Sequence, residues 1–136
     1  MELETVVLNK CIQFFEELVT AHEDDEFYGK LPRYMIIEYS DARRMTEHFY
    51  KRTIKKRWKY IEGDIVEETI EKDPEENEKS GMYFLYAHAS FYWDLEKGKV
   101  FVGMTFGPRF GRGYSYDIDK KEDAYELINE EIQWVS

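Results

Sequence analysis

The most unusual local sequence in this chain is a segment rich in glycine and arginine, GPRFGRG, at residues 107–113. Glycines let a ligand approach backbone amides closely, and the guanidinium groups of Arg109 and Arg112 could bind the oxygens of a phosphate or carboxylate. The glycine spacing matches neither a Walker loop nor a dinucleotide-binding fingerprint. A wide connection between two strands, with its arginines paired to surface acids, is the simpler interpretation, and anion binding is the alternative.

His88 is a second candidate, because it lies in a long aromatic segment whose composition predicts a strand. Alternation places Tyr86, Ser90 and Tyr92 on the same face as His88. On a curved sheet this face could line a pocket to which Tyr114 contributes, and a histidine there can act as an acid or base near neutral pH. A lone histidine packed on the sheet is the simpler interpretation. The candidate ligand-binding residues are His88, Tyr86, Tyr92, Arg109, Arg112 and Tyr114.

The sequence contains no pattern typical of a metal site or a bound cofactor. His22 precedes four acids at residues 23–26, but consecutive side chains diverge, and the spacing matches neither a zinc motif nor an EF-hand loop. Cys11 is the single cysteine and lies in an apolar helical pattern, where we expect it to be a small buried hydrophobe. We therefore predict no metal, no cofactor and no catalytic residue, and the sequence leaves open whether the protein is an enzyme.

Length and composition favour one globular domain. The 136 residues are 43% hydrophobic and 17% aromatic, enough to bury a core, so we expect a single α+β domain over residues 1–136. The formal net charge of −10 argues against binding to nucleic acid or to anionic membranes, which require a positive surface. The acidic start and the lack of a long apolar run predict a cytoplasmic protein.

The charges are arranged in blocks along the chain. Counting Asp and Glu against Lys and Arg, residues 1–30 carry −6, residues 31–60 carry +6, residues 61–80 carry −7, residues 81–119 are balanced and residues 120–136 carry −3. The blocks could pair with one another in the fold. The alternative is an acidic surface that binds a basic partner.

Hydrophobic periodicity predicts the elements of the first half. Apolar residues at helical spacing indicate a helix over residues 3–22, and a short strand follows at residues 33–39. Ser40 or Asp41 would cap a second helix that begins at Ala42. Residues 53–61 fit either a continuation of that helix or a strand, and their alternation favours the strand.

That strand is expected to form a hairpin through residues 62–64 with residues 65–71. Across this hairpin Lys55, Arg57 and Lys59 would face Glu67 and Glu71. The polar residues 73–80 should form an exposed loop.

The second half predicts three strands and a final helix. Residues 82–94 form the first strand, which is long enough to need a bend near residues 87–89. A tight turn at residues 96–98 leads to a return strand over residues 99–106, and residues 114–118 form the third strand. A capping box at residues 119–122 then predicts an amphipathic helix that Trp134 would anchor to the sheet.

These elements predict a curved antiparallel sheet of five or six strands, with amphipathic helices at both termini and a second helix after the first short strand. The favoured functional hypothesis is a non-catalytic cytoplasmic protein whose acidic, aromatic surface engages another protein, for example as an inhibitor or immunity-type protein for a basic partner. The alternative is a small-ligand-binding roll, or an enzyme, with a pocket around His88 and the loop of Arg109 and Arg112. A homodimer through an exposed sheet face is compatible with both.

Overall fold

The computed structural model describes residues 2–25, 29–40 and 54–136. In this part of the chain one helix packs on one face of a seven-stranded sheet, and two short strands form a separate ribbon. The elements in chain order are α1 (Leu3–His22), β1 (Tyr34–Ser40), β2 (Ile54–Ile61), β3 (Asp64–Glu68), β4 (Lys79–Ser80), β5 (Tyr83–Phe84), β6 (Tyr86–Asp94), β7 (Lys99–Gly107), β8 (Phe110–Lys121) and β9 (Ala124–Val135).

The large sheet has the strand order β3-β2-β1-β6-β7-β8-β9, and β4 pairs with β5 alone. Neighbouring strands are antiparallel except for β1 and β6, which run parallel at the centre. The sheet is therefore mixed and has seven strands, whereas the sequence predicted an antiparallel sheet of five or six. The chain passes from β3 at one end of the sheet to β6 beyond β1, so the connection over residues 69–85 must cross β2 and β1.

Helix α1 forms where the sequence predicted it. Val7, Cys11, Phe15 and Leu18 are separated by three or four residues, which places them on one side of a helix, and all four are buried against the sheet. Cys11 is 1% exposed, and its burial raises the pKa of the thiol to about 12. The prediction that Cys11 is a buried hydrophobe is confirmed.

The helix-facing side of the sheet forms the main core, and the alternation predicted for β6 and β7 is confirmed. The residues of these two strands that face α1 and are buried are Ala87, Ala89, Phe91, Val100, Val102, Met104 and Phe106. The interruption predicted near residues 87–89 lies instead at Leu85, between β5 and β6. There the Leu85 backbone bonds to Arg33 and Glu78, and its side chain joins a second cluster on the opposite face.

The predicted hairpin between β2 and β3 is confirmed, but the partner predicted for Arg57 is wrong. Glu62 and Gly63 adopt φ angles of 51° and 87° and make the tight turn. Arg57 lies opposite Glu68 in the β2–β3 ladder and forms its ion pair with Glu38 of β1 instead. The predicted helix beginning at Ala42 lies outside the described residues.

The prediction of a helix at the carboxyl terminus is wrong, because residues 124–135 form strand β9 paired with β8. The predicted capping box is the hairpin turn, where Glu122 has a φ of 57°. The register of the β8–β9 ladder shifts twice, and Asn129 has a φ of 55° beside one shift. Such bulges reset the two-residue alternation, so the apolar spacing of this strand resembles that of a helix.

The glycine-rich segment at residues 107–113 proves to be mostly strand. The turn occupies only Pro108 and Arg109, whereas Gly111 and Gly113 lie in β8 beside Gly103 of β7. The indole of Trp134 covers all three glycines: a Cβ would lie 2.8 Å from it at Gly111 and 3.1 Å from it at Gly103, and would overlap it at Gly113. Because these glycines have no side chains, the Trp134 indole packs directly on their backbone and holds β9 to the sheet.

Among the described residues, no helix has both the length and the apolar character needed to cross a membrane.

Replacing Gly113 with alanine should destabilise the protein by about 1–3 kcal/mol, because the new Cβ collides with the Trp134 indole. In a Trp134→Ala background the same change should be neutral or slightly stabilising, since glycine is a weak strand residue. Urea unfolding of the four proteins measures this coupling. Equal effects of the glycine change in both backgrounds would contradict the packing.

Replacing Glu122 with glycine should leave stability unchanged or raise it by up to about 1 kcal/mol, because glycine tolerates the left-handed backbone of this turn. In the predicted helix Glu122 would be the capping-box residue of the first turn, where glycine has a lower helix propensity and removes the capping side chain, at a cost of about 1 kcal/mol. Thermal unfolding therefore distinguishes the hairpin from the helix that the sequence predicted, and a clear loss of stability would favour the helix.

Candidate functional site

The face of the sheet opposite α1, here called the open face, carries a buried polar cluster formed by three neighbouring strands. Glu38 of β1 lies directly opposite Arg57 of β2, and His88 of β6 lies two residues from the ladder partner of Glu38. Because alternate residues of a strand share a face, all three side chains leave the sheet on the open face. The cluster is thus assembled by strand pairing and not by a loop.

The three side chains form a continuous hydrogen-bonded chain. One carboxylate oxygen of Glu38 bonds to Nε2 of His88, and the other lies 3.0 Å from both Nε and Nη2 of Arg57. Arg57 also donates from Nη1 to the carbonyl of Lys72, at 2.6 Å. The side chains of Arg57 and Glu38 are 6% and 10% exposed, whereas that of His88 is 33% exposed.

Burial alone would raise the pKa of Glu38, because a low-dielectric environment disfavours the ionised carboxylate. The hydrogen bonds and favourable electrostatics of His88 and Arg57 outweigh burial and hold the pKa below the ordinary value of 4.5. An ionised carboxylate only accepts hydrogen bonds, so the proton of the His88 contact lies on Nε2. In a neutral His88 ring, Nδ1 is then the nitrogen that can accept a proton or a hydrogen bond.

Beside His88 the open face contains a cavity of about 250 Å³, here called the open-face cavity. Most of the residues that line it are aromatic, carry a hydroxyl group or are glycines. They include His88, Ser90, Tyr92, Phe101, Gly103, Thr105, Gly113, Tyr114, Gln133 and Trp134. The rings of Tyr92 and Phe101 stack across β6 and β7 with their centroids 4.8 Å apart. Gln133 donates to the hydroxyl of Ser115 at 2.8 Å.

The structure brings together two of the six predicted ligand-binding residues, since His88 and Tyr92 line the open-face cavity. Tyr114 also borders this cavity, but its ring packs against Phe14 of α1, with the centroids 5.1 Å apart, and lines the cavity on the helix side. Tyr86 lies on the same face but is buried beneath residues 69–78, with its hydroxyl donating to the carbonyl of Glu75. Arg109 is in the exposed β7–β8 turn. Arg112 lines a separate cavity on the helix side, because β8 directs it towards the face that carries α1. The predicted pocket of His88 with both arginines is therefore not formed.

The sequence analysis missed Glu38 and Arg57 as partners of His88. Glu38 carries a detectable signal, because it is the single charged residue in the otherwise apolar or aromatic segment at residues 34–39. A charge is rarely buried in such a strand without a partner. The identity of that partner depends on which strands pair, and a single sequence does not show this.

A second candidate site is the edge of the sheet formed by β3, together with the residues that precede and follow β3 in the chain. Residues 61–78, here called the acidic edge, contain nine Asp and Glu residues and one Lys. Strand β3 ends the sheet and, within the described ranges, pairs only with β2. Exposed apolar side chains lie among these acids, at Ile61, Ile65, Val66 and Ile70.

The acids that follow α1 form a local contact with the core. Asp25 binds Nδ1 of His22 at 2.7 Å and accepts a hydrogen bond of 3.0 Å from the hydroxyl of Tyr83, and both interactions lower the pKa of Asp25. His22 also lies near the rings of Phe106 and Phe110. Across the residues that the structure describes, no group of three or more His, Cys, Asp or Glu side chains is arranged to hold a metal ion.

Comparison with known proteins gives no further assignment. A scan against protein-family models found no match, and neither did searches of curated proteins and of solved structures. The functional conclusions below therefore depend on the geometry of this chain alone.

Replacing Glu38 with glutamine should cost about 3 kcal/mol at neutral pH, because Arg57 then remains buried without its counter-charge. The folded pKa of Glu38 is lowered, so the ionised group stabilises the protein fully above its ordinary value of 4.5, and this contribution is lost as the pH falls through the folded value. The difference in unfolding free energy between the variant and the wild type should therefore shrink on acidification.

Glu126→Gln, on an exposed position of β9, is the matched control and should change stability by less than about 0.5 kcal/mol at any pH. Chemical denaturation across a pH series measures all three proteins. A Glu38→Gln cost no larger than that of the control, or one that does not change with pH, would contradict the buried network.

Proposed function

We propose that this chain binds another protein through the acidic edge and that the bound segment of the partner is basic. The observation that supports this proposal is the surplus of nine acids over one lysine in residues 61–78, of which Asp64, Glu67 and Glu68 lie on the terminal strand β3. An acidic surface attracts a basic partner and raises its association rate. Inhibition of a basic enzyme, as by an immunity-type protein, is a function that such a surface could serve.

Three basic residues of the adjacent strand, Lys56, Arg57 and Lys59, have their closest contacts outside β3. Lys56 forms an ion pair of 2.9 Å with Glu4 of α1, and Arg57 forms its ion pair with Glu38. Lys59 places its ammonium 4.4 Å from the centre of the Tyr34 ring. Arg57 and Lys59 therefore have their closest contacts away from the acids expected opposite them, whereas Lys56 interacts with both Glu4 and Glu67.

The exposed apolar side chains favour a partner in an extended conformation. Val66 is 59% exposed and Ile65 is 40% exposed, and as neighbours in a strand they point to opposite faces of the sheet. An extended segment can add to a free sheet edge through its backbone while its side chains contact both faces. A segment that alternates basic and apolar residues matches this edge, whereas a second copy of this chain would bring the two acidic edges together.

The proposal is tested with a fluorescently labelled short peptide of alternating lysine and valine, whose binding is followed by anisotropy at low ionic strength. Reversing three exposed charges with Asp64→Lys, Glu67→Lys and Glu71→Lys should weaken binding by at least about tenfold, because each surface pair contributes up to about 1 kcal/mol. Added salt should also weaken binding to the wild type.

The matched control is Asp123→Lys, Glu126→Lys and Glu131→Lys, which makes the same change in net charge at exposed positions of the other end of the sheet. It should retain most of the affinity. Equal loss in both triple variants, or binding that salt does not change, would overturn the proposal. A protein captured from a lysate supports it only if the control retains that protein and the acidic-edge variant does not.

A further inference from the structure

We infer that the open-face cavity is a binding site for a small neutral aromatic compound of one or two rings, whose hydroxyl group donates a hydrogen bond to Nδ1 of His88. This site lies over β6–β9, separate from the acidic edge at the opposite end of the sheet. It is therefore a further activity of the chain and does not depend on protein binding.

The size of the cavity limits the ligand. Its volume is about 250 Å³, and an apolar cavity of about 150 Å³ is sufficient to bind benzene. One ring or two fused rings therefore fit within the cavity, and a larger ligand would extend out of it into solvent.

The walls of the cavity favour a flat ring. Gly103 and Gly113 carry no side chains, and the indole of Trp134 packs directly on their backbone and forms part of the cavity wall. The stacked rings of Tyr92 and Phe101 and the indole of Trp134 supply aromatic surface. Aromatic rings prefer to pack against other rings in stacked or edge-on arrangements, each worth about 1 kcal/mol beyond simple burial.

The polar groups of the cavity specify a neutral ligand with a hydrogen-bond donor. The described residues that line it include no Asp, Glu, Lys or Arg, so with a neutral His88 ring a charged ligand would lose its hydration without gaining an ionic partner. Glu38 accepts a hydrogen bond from the Nε2–H group of His88, and Arg57 holds the Glu38 carboxylate in place. The His88 ring therefore has a defined orientation and tautomer. Across the described part of the chain, Nδ1 of His88 has no hydrogen-bond partner, and a ligand hydroxyl would supply one.

The test compares two ligands of the same shape, 2-naphthol and 2-methoxynaphthalene, at mildly alkaline pH where an ordinary imidazole ring is neutral. Only 2-naphthol can donate a hydrogen bond. It should bind about fivefold to tenfold more tightly, because the ether leaves the acceptor unpaired. Nuclear magnetic resonance titration locates the site, and the amide signals of Gly103 and Gly113 should move most.

Two variants separate the polar and steric parts of the site. His88→Phe keeps a ring but removes the acceptor, so it should lower the affinity for 2-naphthol to that for the ether. His22→Phe makes the same change at the histidine of the helix-side cavity and should alter neither affinity. Ser90→Phe should abolish binding of both ligands, because Ser90 lines the cavity and an aromatic ring there fills it.

Equal affinity for the two ligands, unchanged discrimination in His88→Phe, or signal shifts at Phe14 and Arg112 in place of the glycines would overturn the assignment. Comparing the two ligands in the wild type tests the assignment even where a variant is too unstable to study. The acidic-edge triple variant should bind 2-naphthol as the wild type does, so failure of the protein-binding proposal and failure of this one are observed independently.

Discussion

The parallel pairing of β1 with β6 is the constraint on which the rest of the structure depends. It joins two antiparallel units, β1–β3 and β6–β9, into one sheet and gives α1 a continuous apolar face to cover. Parallel neighbours cannot be joined by a tight turn. The chain must therefore cross from β3 over β2 and β1 before it enters β6, and this crossing places residues 69–78 on the open face.

The same pairing makes a buried charge tolerable. Glu38 lies at the centre of the sheet, where an isolated carboxylate would be strongly destabilising. Arg57 from β2 and His88 from β6 reach it because both strands adjoin β1. The crossing segment completes the network through the carbonyl of Lys72. A buried ion pair contributes less to stability than its geometry suggests, and its clearest structural effect is to hold His88 in one orientation beside the cavity.

The two ends of the sheet use different means to limit exposed surface. At one end the indole of Trp134 lies on three glycines and attaches β9, whose outer side chains Ile132 and Val135 remain largely exposed. At the other end β3 is short and rich in acids, which discourages association between copies of the chain.

The sequence by itself determined the parts of the structure that depend on local pattern. Helix α1, the alternating core faces of β6 and β7, and the turns at residues 62–63 and 95–98 follow from apolar spacing and from glycine or acidic residues at sharp turns. Asp94 illustrates this, because its carboxylate accepts hydrogen bonds from the amides of Glu96 and Lys97 within the turn. His88 was also recognisable as a candidate, since it is a polar residue in a strand that is otherwise largely aromatic.

Only the tertiary structure decided which strands are neighbours, and three outcomes follow from that. Residues 124–135 have the apolar spacing of a helix but pair with β8. Pairing in the bulged ladder and packing of Trp134 on the three glycines outweigh the weak local preference for a helix. Arg57 leaves its expected partners for Glu38 because β1 lies beside it. Arg112 and His88 point to opposite faces, so residues that seemed to belong to one pocket are separated by the thickness of the sheet. Pairing between distant strands depends on the whole core, and no local pattern encodes it.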